Sequence, residues 1–295
     1  MFLLCSKRGE KVVRRFSLIN EKDEEYSLMD IENYCLLTDP DGLGYSYTNT
    51  YEQIGNKFIN SLKKINQGQF IGQVNFLCYD NYLKLVNFIE NSTKLKLKYT
   101  VPYKSGEQTY YRNVNLSSLG KTQINTNGVL TEPIVIDFTS LWYKTEYTEY
   151  EIGSQENEIR WDFIWDSRFL SNNSNVIDFN NEGHAPARLI IELEGYVVNP
   201  SFKIEQNGKE LFDVTINTTI EIGEKLIFSS LENDFYIKKV NMLTAEETNL
   251  YTLDNINFDK DYILKLPVGY STLSIITEDI LNEAKINIYS YYKAV

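Results

Sequence analysis

The chain has 295 residues, with 41 acidic against 29 basic side chains, a formal net charge of −12 and a single histidine. That balance argues against phosphate-backbone binding as the main task, because a nucleic-acid reader carries a basic surface, and one histidine excludes a multi-histidine metal site. Aromatics make up 14% of the residues, with 22 Tyr against three Trp and three Met, a composition that favours strands over helices.

A chain of this length forms one large β domain or two of ordinary size, and either can bury a core. Cys5, Cys35 and Cys78 are too few and too far apart for a zinc pattern, and their odd number argues against a disulfide framework, so they are expected reduced. Met1–Cys5 is apolar only briefly before Lys7-Arg8, too short for a signal peptide, and no run approaches the roughly 20 apolar residues of a membrane span. The expectation is a soluble protein made in a cytoplasm, with no membrane insertion and with release by lysis.

Lys11–Ile19 reads as a strand, followed by the charged segment Asn20–Glu25. Lys7, Arg8, Lys11, Arg14 and Arg15 make this end locally basic, which fits a solvated strand edge or a rim that pairs with an acidic neighbouring subunit. Asp39-Pro40-Asp41-Gly42-Leu43-Gly44 superficially resembles a calcium loop, but the third oxygen ligand and the bidentate Glu are not at the required spacing, so it reads as a turn. Tyr51, Ile54, Phe58, Leu62 and Ile65 fall close to a helical stripe, while Gly55 and the Phe58-Ile59 pair permit strand. The pattern leaves both open.

Gln69–Leu77 predicts a strand, and Asp80 reads as the N-cap of a helix whose Tyr82, Leu85, Val86 and Ile89 share one core-facing side. Lys94, Lys96 and Lys98 alternate with Leu95, Leu97 and Tyr99, the period of a half-buried strand, with the lysines discouraging edge-to-edge aggregation. Tyr110–Leu119, Thr122–Thr126 and Leu130–Phe138 complete a β-meander. Tyr143–Glu156 turns polar and acidic, and the domain junction is placed there, giving domains 1–150 and 151–295.

In the second half, Arg188–Glu194 alternates imperfectly, Gly195 interrupts it, and Tyr196–Ile204 resumes an extended pattern up to Asn207-Gly208, the strongest short hairpin signal. Pro200 cannot donate to a ladder and marks an edge, a bend or a strand start. Leu211–Ile220, Lys225–Ser229, Phe235–Val240, Tyr262–Leu266, Thr272–Thr277 and Ala284–Tyr292 read as further short strands, with Glu246–Asp259 as a surface loop. Regularly spaced short strands imply a sandwich or barrel.

Little in the chain points to chemistry. His184 would have to anchor any Ser-His-Asp or Cys-His system, and it sits in a turn-like Gly183–Pro186 lead-in that favours a structural or surface role. There is no nucleophile elbow, no phosphate loop and no dinucleotide fingerprint. In Ile159–Phe169 (IRWDFIWDSRF), Asp162 and Asp166 stand beside Trp161 and Trp165, a pairing that can serve glycoside hydrolysis. Strand alternation turns the tryptophans inward and the carboxylates outward to solvent, whereas helical spacing puts both carboxylates on one face with no partner opposite. Trp161 and Trp165 remain the candidate stacking surface of a carbohydrate-binding module; no catalytic, metal or cofactor-binding residues are expected.

The order of Gly183-x-x-Pro186, a strand, Gly195, Asn199-Pro200 and a strand into Asn207-Gly208 resembles the start of the galectin-like C-terminal domain of phage distal tail proteins. Phe76–Ile89, Tyr111–Leu119 and Gly128–Tyr143 are similar to parts of that family's ring domain. The resemblance implies a mainly β protein, with an N-terminal β-barrel or sandwich ring domain carrying one or two short helices and a C-terminal galectin-like β-sandwich. It also implies a homohexamer at the virion tail tip or baseplate, docked on the tail tube protein on one side and a tail-associated tip or lysin protein on the other. The second domain would serve receptor-binding or baseplate proteins. Members with a long arm carry an insertion in that domain, which this chain lacks.

Overall fold

The computed structural model describes residues 14–30, 35–103, 106–125, 128–151, 173–256, 263–277 and 283–295. The fold is almost entirely antiparallel β, with one helix among the described residues. It divides into two compact units, one reaching Lys144 and taking back Tyr292–Val295, the other spanning Thr145–Tyr291.

The first unit contains β1 (Arg15–Asn20), β2 (Glu25–Ser27), β3 (Met29–Asp30), β4 (Cys35–Asp41), β5 (Tyr47–Ile54), β6 (Lys57–Ile65) and β7 (Gln69–Phe76). Helix α1 (Tyr79–Glu90) follows, then β8 (Leu95–Tyr103), β9 (Gly106–Leu119), β10 (Leu130–Phe138) and the first residues of β11 (Trp142–Glu151). One sheet runs in the order β2-β1-β8-β9-β10-β7-β4-β3. Its ends meet at buried Leu28, whose N–H donates to Phe16 O at 2.9 Å and whose carbonyl accepts from Leu37 N at 2.7 Å. Among the described residues a single residue, not a strand ladder, bridges β1 to β4, so the sheet is rolled without closing as a barrel there.

Alternation decides what this sheet buries. Phe16 and Leu18 of β1, Leu97 and Tyr99 of β8, and Phe70, Val74 and Phe76 of β7 face one core, joined by Trp142. Phe16 stacks on Tyr99 at 4.9 Å, and α1 closes the core through Tyr82, Leu85 and Ile89, with Tyr82 edge-on to Phe76 at 5.7 Å. Each such large side chain contributes about 1.5–3 kcal/mol on full burial.

Several sequence expectations need correction in this unit. The N-cap of α1 is Cys78, with no side-chain cap; Asp80 lies inside the first turn, where it favours the helix through the macrodipole. Thr122–Asn125 is a loop, because the Thr122 amide is taken at 2.5 Å by the buried side chain of Glu132 rather than by a strand. The Lys96 and Lys98 strand is flanked by β1 and β9, so its lysines guard no edge, and Lys98 pairs with Glu25 at 2.7 Å. The 50–65 segment, whose pattern left helix and strand both open, is two paired strands.

The second unit is a β-sandwich. One sheet orders β20 (Glu247–Asn249), β19 (Asp234–Asn241), β18 (Glu224–Leu231), β13 (Ala185–Glu194) and β22 (Glu283–Tyr292). The facing sheet orders β12 (Asn173–Asn181), β21 (Gly269–Thr277), β15 (Ser201–Gln206) and β16 (Lys209–Thr215), and β14 (Val197–Val198) pairs with β17 (Thr219–Ile220) beside them. Leu189, Ile191, Phe228 and Ile286 from one sheet pack against Phe202, Ile204, Leu273 and Ile275 from the other, with Phe202 edge-on to Phe228 at 5.3 Å. Asn207 and Gly208 adopt φ of 53° and 71°, the two positive values a tight hairpin needs, and Gln206 pairs with Lys209. Pro200 immediately precedes β15. Leu211–Ile220 is split between β16 and β17, Leu266 makes only an isolated bridge to Ala187 instead of a strand, and the Glu246–Asp259 loop contains the short β20.

Candidate assembly surface

The most conspicuous surface belongs to β5 and β6, which pair with each other and, among the described residues, with no other strand. Their feet are β4 and β7, neighbours in the first sheet, so the hairpin is an excursion between adjacent strands. Gly42, at φ 90°, fixes one foot: a Cβ there would lie 1.8 Å from the Gln69 carbonyl oxygen. At the root, Asn66 N donates to Ser46 O and Thr48 Oγ1 donates to Asn66 Oδ1 at 2.7 Å. Gly55, at φ 61°, opens the two-residue Gly55-Asn56 turn at the tip.

The register spreads the apolar residues over both faces. Thr50 opposes Leu62, Glu52 opposes Ile59 and Ile54 opposes Lys57, so Ile54, Ile59 and Leu62 share one face, while Tyr51 and Phe58 lie on the other. None is covered: Tyr51 is 57% exposed, Ile54 62%, Phe58 69%, Ile59 51% and Leu62 57%. A two-stranded hairpin with both edges open and apolar residues on both faces is marginal in water. Exposed apolar patches of this kind mark sites of association. The hairpin is also locally basic, with Lys57, Lys63 and Lys64 against Glu52, in a chain of net charge −12.

Two buried polar groups shape the unit behind it. Arg112 is 5% exposed; its Nε donates to the Ser140 carbonyl at 2.7 Å, and its guanidinium lies over Phe138 at 3.6 Å and near Trp142 at 5.4 Å. Burial lowers its pKa to about 10, and its Nη1 has no acceptor. Fully buried Glu132 accepts from the Thr122 amide and hydroxyl and holds the 120–125 loop down. At the basic end, Arg15 pairs with Glu107 of β9, within its own unit.

His184 is exposed, with its backbone N–H donating to Tyr291 O at 2.7 Å. Cys35 is buried, and burial pushes its thiol up to about 11. Asp39, Pro40 and Asp41 lie in strand β4 and not in the expected turn: Asp39, at φ 51°, sits where the register with β7 shifts between Thr38 and Asp41, and Asp41 accepts from the Gly42 amide. No group of three or more His, Cys, Asp or Glu among the described residues is placed to hold a metal ion, and no described helix is long and apolar enough to cross a membrane. Trp161, Asp162, Trp165 and Asp166 lie outside the described residues. Sequence reasoning missed the hairpin as a surface, although Gly55-Asn56 between two apolar-rich runs is itself a hairpin signal.

Residues 15–139 match the family described as the distal tail protein, N-terminal domain. This chain carries a distal tail protein N-terminal domain. The match covers β1 to β10 and therefore includes the protruding hairpin within the distal tail domain. Among solved structures, chains of the phage p2 baseplate in its activated conformation, with Ca or with Sr, superpose at TM-score 0.63 and 16% identity, covering 96% of this chain and 100% of theirs. The phage SPP1 Dit protein superposes at TM-score 0.59 and 8% identity, covering 93% of this chain and 98% of that one. At these identities the likeness is one of fold, and it extends through the sandwich beyond the distal tail domain. No curated protein matches the chain.

Proposed function

We propose that this chain is a structural hub protein of a phage tail baseplate, assembled as a closed ring of six copies. The ring-forming domain corresponds to residues 1–150 and the outer sandwich to 151–295. The observation that carries the reading is the β5–β6 hairpin, whose apolar side chains and open strand edges are satisfied when they pack on an adjacent copy. Its positive charge is complementary to an otherwise acidic chain. A head-to-tail contact repeated six times closes without leaving an edge exposed. The matched domain and the fold shared with a p2 baseplate chain and with SPP1 Dit, described as a paradigm of hub adsorption apparatus, support the same reading.

In that assembly the ring joins the tail tube protein to the tail-associated tip or lysin protein, and the sandwich faces receptor-binding or other baseplate components. The chain is made in the host cytoplasm, acts at the virion tail tip and performs no catalysis. Negative-stain images of the purified chain test this. Six-fold rings with a central opening are expected; isolated single chains at all concentrations overturn it.

A further inference from the structure

The first unit does not end at Lys144: Tyr292–Val295 belong to it, although Thr145–Tyr291 intervene in the chain. Tyr292 meets Tyr110 of β9 edge-on at 5.4 Å, and Val295 packs against the same core. Between them, Lys293 Nζ lies 5.7 Å from the centre of the Tyr47 ring. Tyr47 is the first residue of β5, and Lys63 of β6 approaches the same ring at 4.2 Å, while Tyr45 abuts it edge-on. Of the hairpin's residues, Tyr47 and Ile65, the pair at its root, are half-buried, and those between them are exposed.

From this arrangement we infer that Tyr292–Val295 act as a strap that fixes the root of the β5–β6 hairpin and so sets its aim for assembly. The inference rests on the ring reading for its consequence but not for its geometry. A lysine over a tyrosine face is attracted by the ring quadrupole, and two lysines on one ring couple the hairpin to the residues that clamp it. An exposed hairpin has almost no other tertiary contact, so restraint at its root decides how widely its tip samples orientations. A pre-oriented hairpin loses less freedom on docking and binds more tightly for the same contact area. Because residues 292–295 follow the second unit in sequence, the strap closes only after that unit has been made.

Hydrogen exchange on the full-length chain, read over peptides covering residues 45–66, tests the strap in the wild type, Lys293→Met and Tyr292→Ala. Lys293→Met keeps the aliphatic stem and removes only the charge, so the fold is retained. Exchange at the hairpin root is expected to rise about 2- to 5-fold in Lys293→Met, the range one exposed cation–π contact sustains, and further in Tyr292→Ala. Peptides from β13 and β18 should be unchanged, and the ring fraction should fall in the order of the exchange rates. Unchanged exchange at the root, or an equal increase throughout both units, overturns the strap. If the wild type forms no ring, the hub reading fails, while the exchange comparison still decides the strap.

Discussion

Replacing Phe58 with serine separates an assembly surface from a folding element. Phe58 is 69% exposed, so it contributes little to the core of its own unit, and a substitution at so exposed a position changes stability by no more than about 0.5 kcal/mol. In a ring contact the same ring becomes buried, and burying a phenylalanine is worth about 2 kcal/mol. Losing it weakens each contact roughly 30-fold, since every 1.4 kcal/mol is a factor of ten. Because every contact of a closed ring is equivalent, the loss recurs at each interface. Mass photometry across a dilution series should therefore show Phe58→Ser rings falling apart at concentrations where the wild type is intact, with both melting at the same temperature. An unchanged dilution profile would refute the role of Phe58 in assembly; a large drop in melting temperature would show that it supports the fold instead.

Gly42→Ala should destabilise the first unit by about 3 kcal/mol or more, because its Cβ would meet a backbone carbonyl at 1.8 Å and its φ of 90° is strained for alanine; urea unfolding checks this. Ring assembly should weaken as salt rises, since the basic hairpin meets an acidic neighbour; the dilution series repeated at low and high ionic strength measures it, and salt-independence removes the charge argument. Cys35 keeps its proton in the folded chain at pH values where the unfolded chain loses it, so its contribution is complete below about pH 9 and disappears as pH rises through about 11. Thermal melts from pH 8 to 11 should show stability falling, with a shallower fall in Cys35→Ala.

The sheets were legible in the residues where one face is buried. Lys96-Leu97-Lys98-Tyr99 alternates because Leu97 and Tyr99 are core, and Asn207-Gly208 fixes its turn because few other pairs tolerate two positive φ values. The hairpin was not legible for the same physical reason in reverse. With neither face buried in its own chain, its apolar residues obey no period of two, and Tyr51, Ile54, Phe58 and Leu62 happen to trace a helical stripe. The Thr122 segment was misread because a side chain ten residues further along, the carboxylate of Glu132, competes for the amide that a strand would have used. The strap was invisible because it joins residues far apart in sequence, Tyr47 and Lys293, through a ring face rather than a motif.

The claim that most depends on measurement is that a second copy of this chain covers the hairpin. Placing a benzophenone side chain at position 58 and irradiating the purified protein tests it directly. The account predicts a ladder of covalently joined chains rising toward six. Cross-links confined to single chains, at concentrations where the protein is otherwise well folded, would contradict it.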